Sequence, residues 1–413
     1  MASGPGESGF KQYMLITTNY WTFTLTDGAL RMLVVLHFHD LGYSPLSIAF
    51  LFLFYEIFGV VTNLVGGWIG ARLGLNHTMN AGLALQIGAL CMLLVPPAYL
   101  TISWVMIAQA LSGIAKDLNK MSAKSAVKFM VPSSAEDKLF KLVALLTGSK
   151  NALKGVGFFL GGLLLSIFGF SSALSIMIAA LLIVLTISLI FLKKGLGQAK
   201  SKPKFRDIFS KSDAINKLSA ARLFLFGARD VWFVVALPVY LSATLEWSHW
   251  SVSGFLALWI IGYGLVQTFA PYLTRRSSNM PPDGKTALIW VLILSITPFL
   301  IALTLYLDFQ VEASLIVGLL MFGFLFAINS SLHSYLILSY ADRERVSLDV
   351  GFYYMANAMG RLLGTILSGW AFQLYGLTMC LIISGLFLLL ASGISFYLPS
   401  SSHKPLSPPK QPQ

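Results

Sequence analysis

Apolar runs long enough to cross a bilayer recur along nearly the whole chain, and this repetition constrains the fold more than any other feature. A span needs about 20 apolar residues to cross roughly 30 Å of hydrocarbon, and we identify about twelve such runs. They lie near 13–38, 45–72, 78–98, 101–129, 139–168, 171–192, 217–242, 249–273, 286–307, 312–339, 349–374 and 377–398. A backbone in lipid must satisfy its own hydrogen bonds, so each run is predicted to be a helix.

The small number of charged residues excludes several classes of protein. Only 11% of the 413 residues are charged, against roughly 25% in soluble domains, so a soluble enzyme is excluded. The net charge is +12, but a nucleic-acid groove needs a solvated basic face, and no nucleic-acid partner is expected. Cys91 and Cys380 lie in apolar runs and no metal-ligand spacing is present. We therefore expect neither a metal nor a cofactor.

One basic, Gly- and Ser-containing stretch divides the runs into two groups of six. The predicted organisation is an N-terminal tail, a first six-helix half, a basic linker, a second six-helix half and a Pro- and Ser-rich disordered tail, at 1–12, 13–192, 193–216, 217–398 and 399–413. The chain is thus predicted to be an all-α integral membrane protein with 12 transmembrane helices in two six-helix halves.

Charges in the connections predict the orientation, because cytoplasmic loops retain Lys and Arg. Connections after odd-numbered runs contain no Lys or Arg. Those after even-numbered runs contain the linker and the residues Arg72, Lys138, Arg275, Arg276, Lys285, Arg343 and Arg345. Both termini, the two tails included, are therefore predicted to be cytoplasmic, in a multi-pass protein of the cytoplasmic (inner) membrane.

The connection between the second and third runs resembles a gate motif of the major facilitator fold, G-x-x-x-D-R-x-G. Here it reads Gly67, Trp68, Ile69, Gly70, Ala71, Arg72, Leu73, Gly74. Ala71 replaces the Asp of that motif, whereas Gly67, Arg72 and Gly74 match it and are the predicted cytoplasmic gate. Span number, predicted topology and this motif together resemble the major facilitator architecture.

Charges inside the predicted spans are the candidate functional residues, since each costs several kcal/mol unless it faces a partner or an aqueous cavity. Near mid-span we count seven cations, namely Arg31, Lys116, Lys120, Lys150, Lys154, Arg229 and Arg361. Only four anions lie at similar depth, namely Asp27, Glu56, Asp117 and Asp230. The excess of cations favours an anionic substrate, and with Asn151 the cations are the predicted substrate-binding residues.

The lysines are spaced to share helix faces. Lys116, Lys120, Lys124 and Lys128 recur every four residues, and Lys150 and Lys154 repeat that spacing. Two interpretations remain open for them. They can bind substrate, or they can be neutralised by Asp117 and Glu56 or extend to the headgroups, as expected for Lys124 and Lys128.

The arginines also have two interpretations. Asp27 and Arg31 are four residues apart, which favours an ion pair within one helix. The neighbours Arg229 and Asp230 diverge by about 100° around their helix, so they are not expected to share one partner on the same face. Arg31 and Arg229 could instead clamp a substrate from both halves, since guanidinium binds phosphate and carboxylate in bidentate fashion.

The four buried acids are the candidates for proton coupling, and the sequence does not choose among Asp27, Glu56, Asp117 and Asp230. A partial antiporter motif at Gly148, Gly157, Gly161 and Gly162 has Gly162 in place of its proline. Close helix packing explains these glycines equally well. Tyr353, Tyr354 and Asn357 are further candidates to line the cavity.

Four long stretches resemble the ArsJ-type organoarsenical efflux permeases of the major facilitator superfamily. They are YWTFTLTDGALRMLVVLHFHDLGYSP, FLFYEIFGVVTNLVGGWIGARLG, GIAKDLNKMSAKSAVK and LTGSKNALKGVGFFLGGLLL. The resemblance implies a permease, not an enzyme, that exports 1-arseno-3-phosphoglycerate and so confers arsenate resistance. It also implies glyceraldehyde-3-phosphate dehydrogenase as the functional partner that makes this ester from arsenate. We expect a monomer. The arsenate and phosphate groups at opposite ends of the ester would suit two cation clusters, one of Lys116, Lys120, Lys150 and Lys154 and another of Arg31, Arg229 or Arg361.

Other functions remain as alternatives. Within transport, the alternative is exchange of organophosphate for phosphate, and export could be driven by proton entry or by the substrate gradient. An enzyme would need a nucleophile and base or metal ligands near mid-membrane. No such arrangement stands out in the sequence.

Overall fold

The computed structural model describes residues 5–42, 51–132, 135–199, 204–208, 212–247, 249–274 and 281–400. Its helices are α1 (Pro5–Asp40), α2 (Leu53–Leu73), α3 (Leu75–Met92), α4 (Ile102–Met130), α5 (Glu136–Phe191), α6 (Asp213–Phe233), α7 (Ala236–Ala243), α8 (His249–Leu273), α9 (Gly284–Tyr306), α10 (Val311–Tyr340) and α11 (Val346–Ser395). Within these ranges there is no strand, so the all-α prediction is confirmed.

Helix α5 crosses the bilayer twice. Its 56 residues would extend about 84 Å at 1.5 Å per residue, and Gly169 breaks it with φ 76°. The Tyr13 hydroxyl donates to the Leu142 carbonyl at 3.1 Å, and the Gln12 amide donates to the Phe191 carbonyl at 3.0 Å. Both ends of α5 therefore lie beside the start of α1, so the chain reverses at Gly169.

Helix α11 reverses in the same way at Gly376, where φ is 73°. The Cys380 thiol lies 3.8 Å from the Ser368 carbonyl oxygen, although 12 residues of unbroken helix would extend about 18 Å. Helices α6 and α7 form one further crossing with a short interruption at residues 234–235. The helices thus supply the twelve predicted crossings, because α5 and α11 each contribute two and α6 with α7 contribute one.

The outer surface is apolar, as a lipid-facing surface must be. Large hydrophobic side chains such as Ile190, Leu258 and Val317 are about two-thirds exposed. Six of the helices are long and apolar enough to cross a membrane by length and composition alone. Helix α4, with Lys116, Asp117 and three more lysines, is not one of these six.

Several element boundaries differ from the sequence prediction. Helix α1 begins at Pro5, inside the predicted tail 1–12, and α6 begins at Asp213, inside the predicted linker. The start of the linker packs on the α2–α3 turn, since the Leu75 and Ala199 amides bond the Leu196 and Ala71 carbonyls at 2.7 and 2.9 Å. Arg275, Arg276 and the predicted disordered tail from residue 401 onward lie outside the described residues.

Three glycines of the partial antiporter motif, all but Gly162, are positions of close helix packing. A Cβ atom on Gly157 would lie 2.7 Å from the Leu25 carbonyl of α1, and one on Gly161 would collide with the Ala29 carbonyl. Gly148 approaches α8 in the same way. Between the two halves, α2 packs against α11 and α5 packs against α8.

Candidate functional site

The two halves meet closely at the end of the molecule that carries the α2–α3 turn. A Cβ atom on Gly67 would lie 2.7 Å from the Ser347 carbonyl and 3.0 Å from the Gly351 Cα. The Ser347 hydroxyl donates to the Gly67 carbonyl at 2.8 Å. The predicted gate residue Gly67 therefore lies in the seam between α2 and α11.

The other two predicted gate residues lie beside this seam. The Arg72 guanidinium is 5.2 Å from the ring centroid of Trp68 on its own helix. Gly74 forms the turn into α3 with φ +100°, a conformation that a side chain rarely adopts. A gating role for Arg72 stays a prediction.

Polar side chains also form hydrogen bonds between the two halves at this end. The Glu136 carboxylate of α5 accepts hydrogen bonds from the Tyr335 and Ser339 hydroxyls of α10, the latter at 2.8 Å. Two basic side chains add bonds to backbone carbonyls of the opposite half, Lys128 to Leu338 and Arg343 to Val131. Lys128 therefore bonds the opposite half and does not simply extend to the headgroups.

Helices α5 and α8 form a second seam. A Cβ atom on Gly264 would lie 2.6 Å from the Ala152 nitrogen and 2.7 Å from the Gly148 oxygen. The Asn151 amide donates to the Gln267 side-chain oxygen at 2.5 Å. Asn151, a predicted substrate-binding residue, thus bonds a buried side chain of the other half.

The side chain of Tyr55 in α2 contacts three charged side chains. The Lys116 ammonium lies 3.7 Å from its ring centroid and the Arg31 guanidinium carbon lies 4.6 Å from it. Its hydroxyl donates to Asp27 at 2.7 Å. The predicted Asp27–Arg31 ion pair is not found among the described side chains, and the side chain of Glu56 lies outside them. Tyr55 itself was not predicted.

The lysine stripe of α4 faces protein, as its periodicity predicts. Lys120 pairs with Asp117 at 2.5 Å. The Lys120 and Lys124 ammonium groups lie 4.9 and 5.0 Å from the ring centroid of Tyr354 in α11. Tyr354, a candidate to line the cavity, therefore joins the two halves through cation–π contacts.

The lysines of α5 lie close to these charges. Lys150 lies within electrostatic range of Lys120, Asp27, Lys116 and Arg361. Lys154 lies within range of Arg31, Lys150, Asp27 and Arg361. Cations from α1, α4, α5 and α11 thus converge. The central cation cluster, as we name it, consists of Arg31, Lys116, Lys120, Lys150, Lys154 and Arg361.

Asp230 of α6 binds two arginines. Its carboxylate is fully buried and accepts from the Arg229 Nε at 2.6 Å and the Arg361 Nε at 3.0 Å. Although Arg229 and Asp230 diverge around their helix, the long Arg229 side chain folds back, so the two charged groups bond each other rather than one common partner. Arg229 is thus paired with Asp230, as Arg361 is, and substrate binding by Arg229 stays a prediction.

Arg222 of α6 is a buried cation that the sequence reasoning missed. Only 2% of its surface is exposed. Its Nε donates to the Asn357 side-chain oxygen at 2.9 Å and its Nη1 to the Ser330 carbonyl at 3.2 Å. Its guanidinium carbon lies 3.8 Å from the Phe226 ring centroid. The signal that could have revealed it is its seven-residue spacing from Arg229, which places both near one helix face.

Cations outnumber their carboxylate partners at this site. Lys120, Arg229 and Arg361 bond Asp117 or Asp230. In the part of the chain that the structure describes, five further cations of the interior have no carboxylate within 4.0 Å, namely Lys116, Lys124, Lys150, Lys154 and Arg222. Buried charges need compensation, so this arrangement can hold an anion.

Each acid predicted for proton coupling whose side chain the structure describes has a hydrogen-bond or ion-pair partner. Asp27 bonds Tyr55, Asp117 bonds Lys120, and Asp230 bonds Arg229 and Arg361. Proton coupling by any of them stays a prediction.

Comparison with known proteins identifies the family. The Major Facilitator Superfamily model matches residues 16–288 and 285–413. No curated protein sequence matches the chain. Similar solved structures include the human organic anion transporter MFSD10 (TETRAN), with 15% identity and TM-score 0.73, covering 93% of this chain and 99% of that one.

Two further structures have the same fold. A bacterial homologue of the iron transporter ferroportin in an outward-facing state has 16% identity and TM-score 0.73, covering 93% of this chain and 98% of that one. The proton:xylose symporter XylE has 13% identity and TM-score 0.75, covering 95% and 97%. At these identities the likeness concerns the fold alone. The family match covers nearly the whole chain, which therefore belongs to the major facilitator superfamily and is a multi-pass membrane transporter.

Proposed function

We propose that the chain exports a multiply anionic organoarsenical ester, 1-arseno-3-phosphoglycerate, and thereby confers arsenate resistance. The observation that carries the proposal is the set of interior cations without carboxylate partners among the described residues, at the interface of the halves. Such a site favours a substrate with more than one negative charge, because each bound oxyanion compensates cations that the protein leaves uncompensated.

The sequence resemblance to ArsJ-type permeases supports the arsenical identity of the substrate. The likeness to an organic anion transporter agrees with the charge of the substrate. In this proposal the dehydrogenase supplies the ester in the cytoplasm and the permease releases it outside, where it breaks down to arsenate and phosphoglycerate. The proposed setting is the inner membrane, with a monomeric chain, both termini in the cytoplasm and the predicted boundaries of the halves.

The central cation cluster is the proposed binding site for the substrate, together with Asn151. Arg229 contributes indirectly in this proposal, because it and Arg361 share Asp230. Energy coupling by proton entry would use one of the four acids. The gate proposed at Gly67, Arg72 and Gly74 adjoins the seam that closes the cytoplasmic end.

Cells that lack other arsenic exporters test the proposal. Co-expression with glyceraldehyde-3-phosphate dehydrogenase should lower cellular arsenic and raise arsenate resistance above cells with the dehydrogenase alone. Lys150→Gln should abolish the gain at equal membrane abundance. The matched control is Lys141→Gln, since Lys141 is 42% exposed beside Asp137 and lies nine residues, about 14 Å along α5, before Lys150. Equal arsenic content with and without the permease would refute the proposal.

Exchange of organophosphate for phosphate is the alternative that the same cations allow. Paired arginines in corresponding helices of the halves, Arg31 and Arg222 or Arg229, would suit it. Uptake of phosphate or phosphoglycerate by vesicles in the absence of arsenic, with no uptake of the arsenical ester, would establish this alternative.

A further inference from the structure

Two interior cations that have no carboxylate partner among the described residues lie outside the central cation cluster, one in each half. Lys124 of α4 is 6% exposed and Arg222 of α6 is 2% exposed. The Lys124 ammonium lies 5.0 Å from the Tyr354 ring centroid and the Arg222 guanidinium carbon lies 5.2 Å from that of Tyr353, and the two ring centroids are 5.0 Å apart. Neither cation has a carboxylate within 4.0 Å in the described part of the chain. Two buried cations on neighbouring rings destabilise the empty protein, so they require a ligand or a function.

Unused hydrogen-bonding groups surround this pair. The Tyr353 and Tyr354 hydroxyls, the Ser330 hydroxyl and both ring nitrogens of His333 are buried and have no hydrogen-bond partner among the described residues. Ser330 accepts a bond from Arg222 at its carbonyl oxygen, and His333 follows Ser330 by three residues in α10. Unsatisfied buried polar groups are costly, and here several of them converge beside two cations.

We propose that Lys124, Arg222, Tyr353 and Tyr354 form a second binding site, for one tetrahedral oxyanion of the phosphate or arsenate type. The inference rests on the proposed function, since it assigns one end of the same substrate. Arg222 uses two donors on Asn357 and Ser330 and retains others of its five for a ligand. Lysine adds a point charge, and the hydroxyls donate to the remaining oxygens of the anion.

The second site adjoins the central cation cluster. The Tyr354 ring contacts both Lys120 and Lys124, which are one helical turn, about 6 Å, apart along α4. A molecule with oxyanions at both ends can therefore occupy both sites at once. The division assigns one oxyanion to Arg222 and Lys124 and replaces the sequence hypothesis that Arg31, Arg229 or Arg361 forms the second cluster.

Thermal stability of the purified protein tests the second site with three probes, namely inorganic phosphate, arsenate and 3-phosphoglycerate. Each probe that binds should raise Tm. Lys124→Met should weaken binding by about tenfold or more, as loss of a charge-assisted contact does. It should also raise Tm in the absence of anion, because it removes like-charge repulsion. A purely structural lysine would lower that Tm when replaced.

Lys141→Gln is the matched control and should leave both quantities unchanged. Binding of inorganic phosphate or arsenate identifies the free oxyanion as sufficient, whereas binding of 3-phosphoglycerate alone shows that the site needs the ester. Unchanged affinity in Lys124→Met, a lower Tm of that variant without anion, or no stabilisation of the parent by any probe would overturn the inference. Anion binding that depends on Lys124, in a protein that does not export arsenic, would support this site and refute only the proposed function.

Discussion

Replacing Gly264 with alanine should open the seam between α5 and α8. The new Cβ atom would lie 2.6 Å from the Ala152 nitrogen and 2.7 Å from the Gly148 oxygen, whereas such atoms normally approach to about 3.5 Å. The helices must therefore separate by about 1 Å. Overpacking of this kind costs about 1–3 kcal/mol. Molecules in which the α5–α8 seam is open avoid this cost. The ratio of molecules with an open seam to molecules with a closed seam should therefore rise about fivefold to 150-fold.

A buried thiol reports this change. Ser347 is 1% exposed in the other seam between the halves, that of α2 and α11, so a Ser347→Cys reporter, in a protein without Cys91 and Cys380, reacts with maleimide only when the halves separate there. Gly262→Ala is the control, since a Cβ atom there meets nothing within 4 Å. In the Gly264→Ala variant the reporter cysteine should react with maleimide faster, in proportion to the fraction of open molecules. Equal labelling rates in the Gly264→Ala and Gly262→Ala variants would refute the reasoning.

Substitutions at three further residues probe the charged site. Lys150→Gln should reduce arsenic export about tenfold or more at normal membrane abundance, measured in loaded vesicles, and an unchanged rate would exclude Lys150 as a ligand. Asp230→Asn removes the shared anion of two arginines and should lower Tm by about 5 °C or more; an unchanged Tm would show that those ion pairs contribute nothing. Tyr55→Phe keeps the ring and should retain more export than Tyr55→Leu, which also loses the cation–π contacts. Equal export rates of the two variants would contradict a role for the ring.

The crossings could be predicted from the sequence because lipid imposes a length on each apolar run. The two reversals lie between predicted runs, Gly169 between the fifth and sixth and Gly376 between the last two. The start of α1 at Pro5 could not be predicted in this way, since a helix can continue beyond the bilayer into a polar segment. Hydropathy indicates where the chain is in lipid, not where its helix begins.

The charged site was predictable only in part. The four-residue spacing of the α4 lysines identified their common face. Arg222 was missed because it lies near the end of a predicted run, where an arginine is usually assigned to the headgroups. Tyr55 was missed because an aromatic residue in an apolar run looks the same whether it faces lipid or a cation, and its contacts depend on how α1, α2 and α4 pack.

Transport by the purified protein in vesicles tests the central claim most directly. With the dehydrogenase, glyceraldehyde-3-phosphate, the nicotinamide cofactor and arsenate outside, arsenic should enter vesicles that contain the protein, and omission of the dehydrogenase should abolish entry. A Lys116→Gln and Lys154→Gln double variant should carry the ester at most at about a tenth of the parent rate. Arsenic entry no faster than into empty vesicles would contradict export of this ester, and full activity of the double variant would contradict its binding by the central cation cluster.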